Sequence, residues 1–180
     1  MNSKGKTHMT HETAEKVAKY IMEVAPKGQD LEVGWFGGEP LYNTDVIEII
    51  TSRLNSAGIS FRGTMITNGY LIDGELIQKI KHDWHITNMQ ITFDGTEEVY
   101  NKVKNYIYKD DVSPYKKVLD NVRLLLNHDI TVSVRMNCDS HNFENLKVLV
   151  NELHEEFKEY GNFSMYVWPI FEEGFVRTEE

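Results

Sequence analysis

The stretch GWFGGEPL, residues 34–41, places two adjacent glycines, an acid and a proline directly after an apolar segment. Glycine lets the backbone approach a ligand closely, and Pro40 restricts the chain as it leaves the turn, so Glu39 would be held in place. A fixed carboxylate beside uncovered backbone carbonyls can bind a cation. The alternative is a strand that ends in a tight turn with a solvated Glu39, because short motifs recur by chance.

Polar corners of this kind recur at the end of each predicted strand. In parallel α/β folds ligands bind at the carboxyl ends of the strands, so these corners predict one shared ligand site. The alternative is that loops are polar in any protein. The corners consist of Gly37, Gly38 and Glu39; Thr67, Asn68 and Gly69; Asp94 and Gly95; Asn137 and Asp139; and Pro169 and Glu172.

Strand and helix patterns alternate along the chain. The alternation predicts an α/β fold with parallel βα repeats, because helices between successive strands act as crossovers. Periodicity leaves open whether the sheet closes into a barrel. The predicted strands are 30–38, 59–69, 88–95, 130–137 and 163–171, and the predicted helices are 10–26, 44–58, 73–83, 96–107, 113–129 and 142–161.

The composition is that of one globular domain. The chain has 180 residues, 41% hydrophobic and 26% charged, which predicts a single α/β domain over 10–180 after a flexible N-terminus over 1–9. A formal charge of -9 argues against a nucleic-acid partner. No apolar run reaches the roughly 20 residues that span a bilayer, and no signal peptide opens the chain. We therefore expect a cytoplasmic protein without a membrane partner.

The single cysteine, Cys138, excludes an internal disulfide and any metal site with several thiolates from this chain. Cys138 with His141 is better explained as a free thiol near a loop than as a metal or nucleophile pair. The stretch His82–His85 reads as a helix end, where histidine is favoured by the helix dipole. Trp35, Trp84 and Trp168 are expected in the core or in a pocket wall. We assign no metal ligand.

Four motifs in a fixed order carry a family resemblance. FGGEPL follows the first strand, TNG the second, QITFDGTEEVYNKVK surrounds the third and VRMN ends the fourth. Over most of Thr10–Phe171 this pattern resembles the radical S-adenosylmethionine (radical SAM) enzymes, specifically the peptide and protein maturases with SPASM-type C-terminal domains. GGEP alone is moderately specific, whereas the ordered set is specific.

The resemblance implies a partial (β/α)6 TIM-like barrel that here lacks its first strand. It implies an oxidoreductase in which a 4Fe–4S cluster receives an electron from an electron donor. The reduced cluster then cleaves S-adenosylmethionine reductively, which generates a 5'-deoxyadenosyl radical. That radical abstracts hydrogen from a peptide or protein substrate. The partners expected for the parent enzyme are therefore the substrate and the electron donor.

The resemblance also implies roles for individual residues. The segment Gly37–Pro40 would receive the methionyl amino group, for which carbonyls and a carboxylate are matched acceptors. Thr92 would donate to the methionyl carboxylate. Arg135 or Lys104 would supply positive charge to that carboxylate. The candidate cofactor-binding residues are Gly37, Gly38, Glu39, Pro40, Asn68, Thr92, Arg135 and Asn137, with Asp94 as a candidate catalytic participant.

The sequence departs from the family in one respect. Family members carry C-x3-C-x2-C upstream of the first helix, where three thiolates hold the cluster, and this chain has no such motif. We therefore expect an internal fragment of the barrel that is inactive alone. With the first strand absent, the edge over Val33–Phe36 would carry unpaired backbone groups, which predicts self-association or poor solubility.

Two alternatives stay open. The chain could be a cluster-free module that binds S-adenosylmethionine or a peptide at the same strand ends. It could instead be an unrelated α/β enzyme in which Glu39 and Asp94 act as acid and base or hold a divalent ion.

Overall fold

The computed structural model describes residues 8–26, 28–104 and 113–170, in which strands alternate with helices as expected. The strands are β1 Leu31–Trp35, β2 Phe61–Thr67, β3 Ile86–Thr92, β4 Thr131–Cys138 and β5 Phe163–Pro169. The α-helices are α1 His11–Val24, α2 Thr44–Ser56, α3 Leu76–Gln78, α4 Glu97–Lys104, α5 Pro114–Asn127 and α6 Phe143–Phe157. A 3-10 helix covers Pro40–Asn43, and a π-helix covers Lys79–Asp83.

The five strands form one sheet in chain order, β1-β2-β3-β4-β5, and run parallel. The register pairs Trp35 with Met65 at the end of β1 and β2, and Cys138 with Pro169 at the end of β4 and β5. This confirms the predicted α/β class with parallel βα repeats. The carboxyl ends of neighbouring strands therefore meet at one edge of the sheet, which is where the polar corners follow.

Contacts divide the chain into two compact units. The first runs through Thr67 and again over Leu71–Met89, and the second comprises Asn68–Tyr70 and the chain from Gln90 onward. The prediction of one domain over 10–180 stays a prediction. The buried cluster of the first unit consists of Ala14, Ala18, Val46, Ile50, Leu54 and Phe61, and buried residues of the second include Val118, Val122, Leu125, Val132, Val134, Met136, Leu149 and Leu153.

Two helices begin at a residue whose side chain caps the helix. The Thr10 side chain caps α1 by accepting a hydrogen bond from the Thr13 backbone N–H. Ser113 caps α5 by accepting from the Lys116 backbone N–H, and Pro114 occupies the first position, where a missing N–H costs nothing.

The structure differs from the prediction in one helix, both in where it begins and in its type. The stretch expected as a helix over 73–83 begins helical structure only at Leu76, because the Asp73 carboxylate accepts from the backbone N–H groups of Glu75 and Leu76 in a turn. It then continues as a π-helix, in which the Trp84 N–H donates to the Lys79 carbonyl. Ile77, Ile80 and Trp84 of this segment are all buried.

Some predicted features fall outside the described residues. These are residues 1–7 of the N-terminal segment, the end of the predicted helix beyond Lys104, and both Phe171 and Glu172. Among the helices that the structure describes, none has the length and apolar character needed to cross a membrane.

Candidate functional site

The corner after β1 fixes one carboxylate. Glu39 has an extended backbone (φ -154°, ψ 108°) and caps the 3-10 helix that Pro40 begins. Its Oε1 accepts a hydrogen bond from the Leu41 backbone N–H at 3.1 Å and from the Thr67 hydroxyl at 2.6 Å. Thr67 ends β2 and is only 4% exposed. The acid is therefore held by its own turn and by the neighbouring strand, as the GGEP motif predicts.

The glycines of this corner leave the backbone uncovered. Gly37 has φ +154°, a conformation that side chains rarely adopt, and a Cβ built on Gly37 or on Gly38 would find no atom within 4 Å. Open space beside two peptide groups and a fixed carboxylate suits the approach of a small cationic group.

The TNG corner after β2 is shaped by hydrogen bonds to its backbone. The Asn68 Oδ1 accepts from the Tyr70 backbone N–H at 2.8 Å, and Gly69 adopts φ +74°. A Cβ on Gly69 would lie 3.1 Å from Ile91, so only glycine fits without displacement. Asn121 of α5 donates through Nδ2 to the Gly69 carbonyl at 2.8 Å. Asn68 thus shapes the corner, while its contact with a cofactor stays a prediction.

A chain of polar side chains lies at the ends of β3 and β4. The Lys104 Nζ is 2.6 Å from Asp94 Oδ2, and both side chains are about one-fifth exposed. The Asn137 Nδ2 donates to Asp94 Oδ1 at 3.0 Å, and Arg135 Nε donates to Asn137 Oδ1 at 3.0 Å. The second unit thereby brings together Asp94, Lys104, Arg135 and Asn137, four of the residues that the sequence singled out.

Thr92 is the last residue of β3 and is half-buried. Within the part of the chain that the structure describes, its hydroxyl forms no hydrogen bond, so it can donate to a ligand. The position is compatible with the predicted contact with a carboxylate, which stays a prediction.

The three tryptophans differ in how far they are buried. Trp84 is fully buried, Trp35 packs partly buried against the core of the first unit, and Trp168 is 52% exposed. The Arg135 guanidinium lies 5.4 Å from the Trp168 ring centre. The expectation of core or pocket wall is confirmed for Trp84, whereas Trp168 presents its ring at the surface of β5.

Cys138 and its neighbour His141 form local hydrogen bonds in the structure. The Cys138 thiol donates to the Asp139 carbonyl at 3.7 Å, and the His141 backbone N–H donates to the Asp139 carboxylate. Over residues 8–26, 28–104 and 113–170, no group of three or more His, Cys, Asp or Glu side chains could hold a metal ion.

Two asparagines that sequence reasoning missed hold the corners. Asn121 is 8% exposed and fastens the TNG corner, and Asn145 of α6 accepts from the Thr96 backbone N–H and donates to the Thr96 hydroxyl, both at 2.9 Å. The only sequence signal is an amide placed on the buried face of an amphipathic helix, as in VLDNV of α5.

Beneath the Asp94–Gly95 loop lies an aromatic cluster of Phe93, Tyr100 and Tyr115, with ring centres 5.3 to 5.8 Å apart. Burial, followed by the charge and hydrogen bond of Glu152, raises the pKa of Tyr115 well above its usual value. Tyr115 therefore stays protonated and serves as a packed support for the loop.

The family model of the radical SAM superfamily matches residues 1–153. The chain belongs to the radical SAM superfamily. This confirms the resemblance at the level of the superfamily, and it accounts for ordered polar corners on successive parallel strands.

Solved radical SAM structures have the same fold. Native anSMEcpe with bound AdoMet is 19% identical, with a TM-score of 0.70, over 97% of this chain and 48% of that chain. SuiB of Streptococcus suis is 12% identical, with a TM-score of 0.58, over 98% of this chain and 37% of that chain. At these identities the likeness concerns the fold, and it confirms the partial TIM-like barrel. The chain spans less than half the length of these relatives.

A further solved structure is native anSMEcpe with bound AdoMet and the Cp18Cys peptide, 19% identical with a TM-score of 0.68 over 96% of this chain and 47% of that chain. A search of curated proteins gave no match.

The residues present fit one of the two groups that the radical SAM superfamily implies. In the first unit, a fixed carboxylate beside open glycines suits an ammonium group. In the second unit, the Thr92 hydroxyl and the Arg135 guanidinium each suit a carboxylate. A 4Fe–4S cluster does not fit, because it needs several thiolates and the chain has only Cys138.

Proposed function

We propose that this chain is the cofactor-binding part of a radical SAM enzyme that modifies a peptide or protein. The observation that carries the proposal is the Glu39 carboxylate, fixed by Thr67 and Leu41 beside two glycines with open space. Superfamily membership supports it, and so do the AdoMet-bound neighbours with the same fold.

In this proposal each end of the methionyl group has its own acceptors or donors. Glu39, with the carbonyls of the Gly37–Pro40 segment, receives the ammonium, and Thr92 donates to the carboxylate. Lys104 is already neutralised by Asp94 at 2.6 Å, so Arg135 is the better source of positive charge. Asn68 and Asn137 are further candidate contacts of the cofactor, and Asp94 stays a candidate catalytic participant.

We propose that the 180 residues alone are catalytically inactive. The S-adenosylmethionine, when bound beside a reduced cluster, supplies the radical, but the chain offers one thiolate where the family uses three. The thiolates, the SPASM-type domain and the site for an electron donor would then belong to other parts of the parent oxidoreductase. A cytoplasmic location is part of the same proposal.

A peptide or protein substrate is supported by the neighbours. AnSMEcpe has been solved with the Kp18Cys and Cp18Cys peptides bound, and its fold covers nearly all of this chain.

The experiment is a calorimetric titration of the purified chain with S-adenosylmethionine. Glu39→Gln keeps an acceptor for the Thr67 hydroxyl but removes the charge, so we expect roughly 10- to 100-fold weaker binding. Glu75→Gln is the matched control, because Glu75 is an exposed acid on a neighbouring loop of the same unit.

Two outcomes would contradict the proposal. A wild-type chain that binds no S-adenosylmethionine would favour the cluster-free peptide module. A Glu39→Gln variant that loses only the binding of a divalent metal would favour the carboxylate-pair enzyme. Production of 5'-deoxyadenosine by this chain after treatment with iron and sulfide would overturn its inactivity.

A further inference from the structure

A cleft opens on the first unit next to the 3-10 helix that Glu39 caps. One wall is formed by this 3-10 helix and the start of α2, and the other by the loop between β2 and α3 with the helical residues that follow it. The cleft has a volume of about 330 Å³ and lies within the first unit. Its lining includes Leu41, Leu71, Asp73, Glu75, Leu76 and Lys79.

Both walls of the cleft are fixed by short-range hydrogen bonds. The Leu41 backbone N–H donates to Glu39 Oε1 at 3.1 Å at the start of the 3-10 helix. On the opposite wall, Asp73 Oδ1 accepts from the backbone N–H of Glu75 at 3.0 Å and of Leu76 at 2.8 Å. A site whose walls are ordered before binding loses less conformational entropy when a ligand enters. The cleft is therefore preformed.

Leucine side chains give the cleft an apolar lining. Leu41 is 5% exposed, whereas Leu71 and Leu76 are half-buried and keep part of their surface accessible. Covering this surface with an apolar group of a partner removes it from water, which is favourable. The volume is at the lower end of the range for ligand pockets, so it suits one large apolar side chain better than a whole cofactor.

The mouth of the cleft carries negative charge. Asp73 and Glu75 are exposed, and neither forms an ion pair with any residue that the structure describes. Lys79, the basic residue of the lining, lies 3.1 Å from Glu48 Oε2, so its charge is already matched. The two acids favour a cationic partner, and the formal charge of -9 disfavours a second copy of this chain.

We propose that this cleft docks a basic segment of the peptide or protein substrate. A leucine-sized side chain of the segment enters between Leu71 and Leu76, and a neighbouring Lys or Arg pairs with the two acids at the mouth. That the partner is the substrate rests on the proposed function, whereas the chemistry of the segment rests on the cleft. Leu41 lines the cleft and bonds Glu39 through its N–H, so a segment docked here lies next to the corner after β1.

The test is a titration of the full chain with capped pentapeptides, monitored by the NMR shifts of its backbone amides. The probe is acetyl-Gly-Lys-Leu-Lys-Gly-amide. One control peptide has Gln in place of Leu, and the other has Glu in place of both Lys. We expect the probe to bind with a dissociation constant of about 1 mM or lower, and each control about tenfold more weakly. The shifts should concentrate on the two walls of the cleft.

A charge swap on the protein makes the test specific. Glu75→Lys reverses a charge at an exposed position, so it should weaken the Lys probe about tenfold and strengthen the binding of the Glu peptide. Glu23→Lys, at an exposed position near the end of α1, is the matched control and should leave both peptides unchanged. Leu71→Ser should weaken the Lys probe about 3- to 10-fold. Circular dichroism melting establishes that each variant keeps its fold.

Titration with S-adenosylmethionine separates the cleft from the proposed function. Glu75→Lys should bind S-adenosylmethionine as the wild type does. Selective binding of the Lys probe by a chain that binds no S-adenosylmethionine would support the cleft and contradict the proposed function.

Three results would overturn the docking site even if the wild type binds S-adenosylmethionine. The first is a Lys probe that binds no better than its two control peptides. The second is an affinity for the Lys probe that stays the same in Glu75→Lys. The third is a set of shifts at the cleft that grows with protein concentration when no peptide is present, because the occupant would then be a second copy of the chain.

Discussion

The Gly37 corner and the Gly95 loop both follow a strand and both contain a glycine with positive φ, yet their surroundings differ. A Cβ on Gly37 would meet nothing within 4 Å, whereas a Cβ on Gly95 would lie 2.6 Å from Asn145 and 2.7 Å from Val99. The first glycine keeps space open, and the second allows close packing. The same residue type therefore leaves the backbone accessible in one unit and permits a tight loop in the other.

The largest effect should come from filling the closed glycine. Gly95→Ala combines an unfavourable φ of +140° with overlap of Asn145 and Val99, so we expect the free energy of unfolding to fall by about 2–4 kcal/mol. Gly38→Ala, with no neighbour within 4 Å, should change it by less than about 1 kcal/mol. Urea denaturation of both variants measures the contrast. Equal losses of unfolding free energy would mean that Gly38 and Gly95 are equally closely packed, which contradicts the comparison.

A second test concerns the bond that fixes the carboxylate. Thr67→Val removes the hydroxyl that donates to Glu39 at 2.6 Å inside a nearly buried site, which should cost about 1.5–3 kcal/mol of unfolding free energy. Thr64→Val, at a half-buried position of the same strand, is the control. Denaturation curves that shift by the same amount for both variants would show that Glu39 is not anchored this way.

The edge of β1 offers a third test, on the proposed self-association. β1 lies at one end of the strand order, and Phe36 just after it is 77% exposed. Phe36→Lys should raise the dimer dissociation constant about tenfold, because a charge disfavours pairing at an open edge. Tyr20→Lys on α1, 64% exposed in the wild type, is the control. A wild-type chain that elutes as a monomer at high concentration in light-scattering chromatography would refute the proposal.

A smaller effect should appear at alkaline pH beneath the Gly95 loop. Because the pKa of Tyr115 is raised in the folded state, its contribution is complete below the unfolded pKa of about 10 and is lost as pH rises above it. Tyr115→Phe should cost about 1 kcal/mol at pH 8, and its difference from the wild type should narrow by pH 11.

Urea curves at several pH values measure this narrowing. Tyr20→Phe, at an exposed position, should show no such narrowing. A constant difference between Tyr115→Phe and the wild type from pH 8 to pH 11 would contradict the assignment.

The smallest effect concerns the first unit. The Trp35 Nε1 is buried and has no hydrogen-bond partner among the described residues. Trp35→Phe removes this unsatisfied donor and some packing, and the two changes oppose each other, so the unfolding free energy should move by less than about 1 kcal/mol. If thermal denaturation shows that Trp35→Phe loses several kcal/mol of unfolding free energy relative to the wild type, the Trp35 Nε1 has a hydrogen-bond partner.

The sequence predicts the positions of the polar corners better than it predicts the long-range hydrogen bonds that hold them. The caps of Thr10 and Ser113 and the bond from the Leu41 N–H to Glu39 join residues two or three positions apart, so they depend on local sequence. Asn121 and Gly69 are 52 residues apart, and Asn145 and Thr96 are 49 apart. Contacts of that range depend on the packing of whole helices, which periodicity does not encode.

The π-helix after α3 also departs from the prediction. The pattern over 73–83 predicts an ordinary helix, and the structure continues it as a π-helix over Lys79–Asp83. The order of strands and helices followed from the sequence pattern, whereas this change of helix type and the contacts between distant residues did not.

The asparagines of α5 and α6 hold two corners mainly by grasping the main chain at Gly69 and Thr96. Side chains such as that of Thr92, which hold nothing in place, can therefore be exchanged at little cost to folding. Substitutions that change which ligand these corners bind can therefore accumulate in evolution, because the hydrogen bonds of Asn121 and Asn145 that hold the corners stay intact.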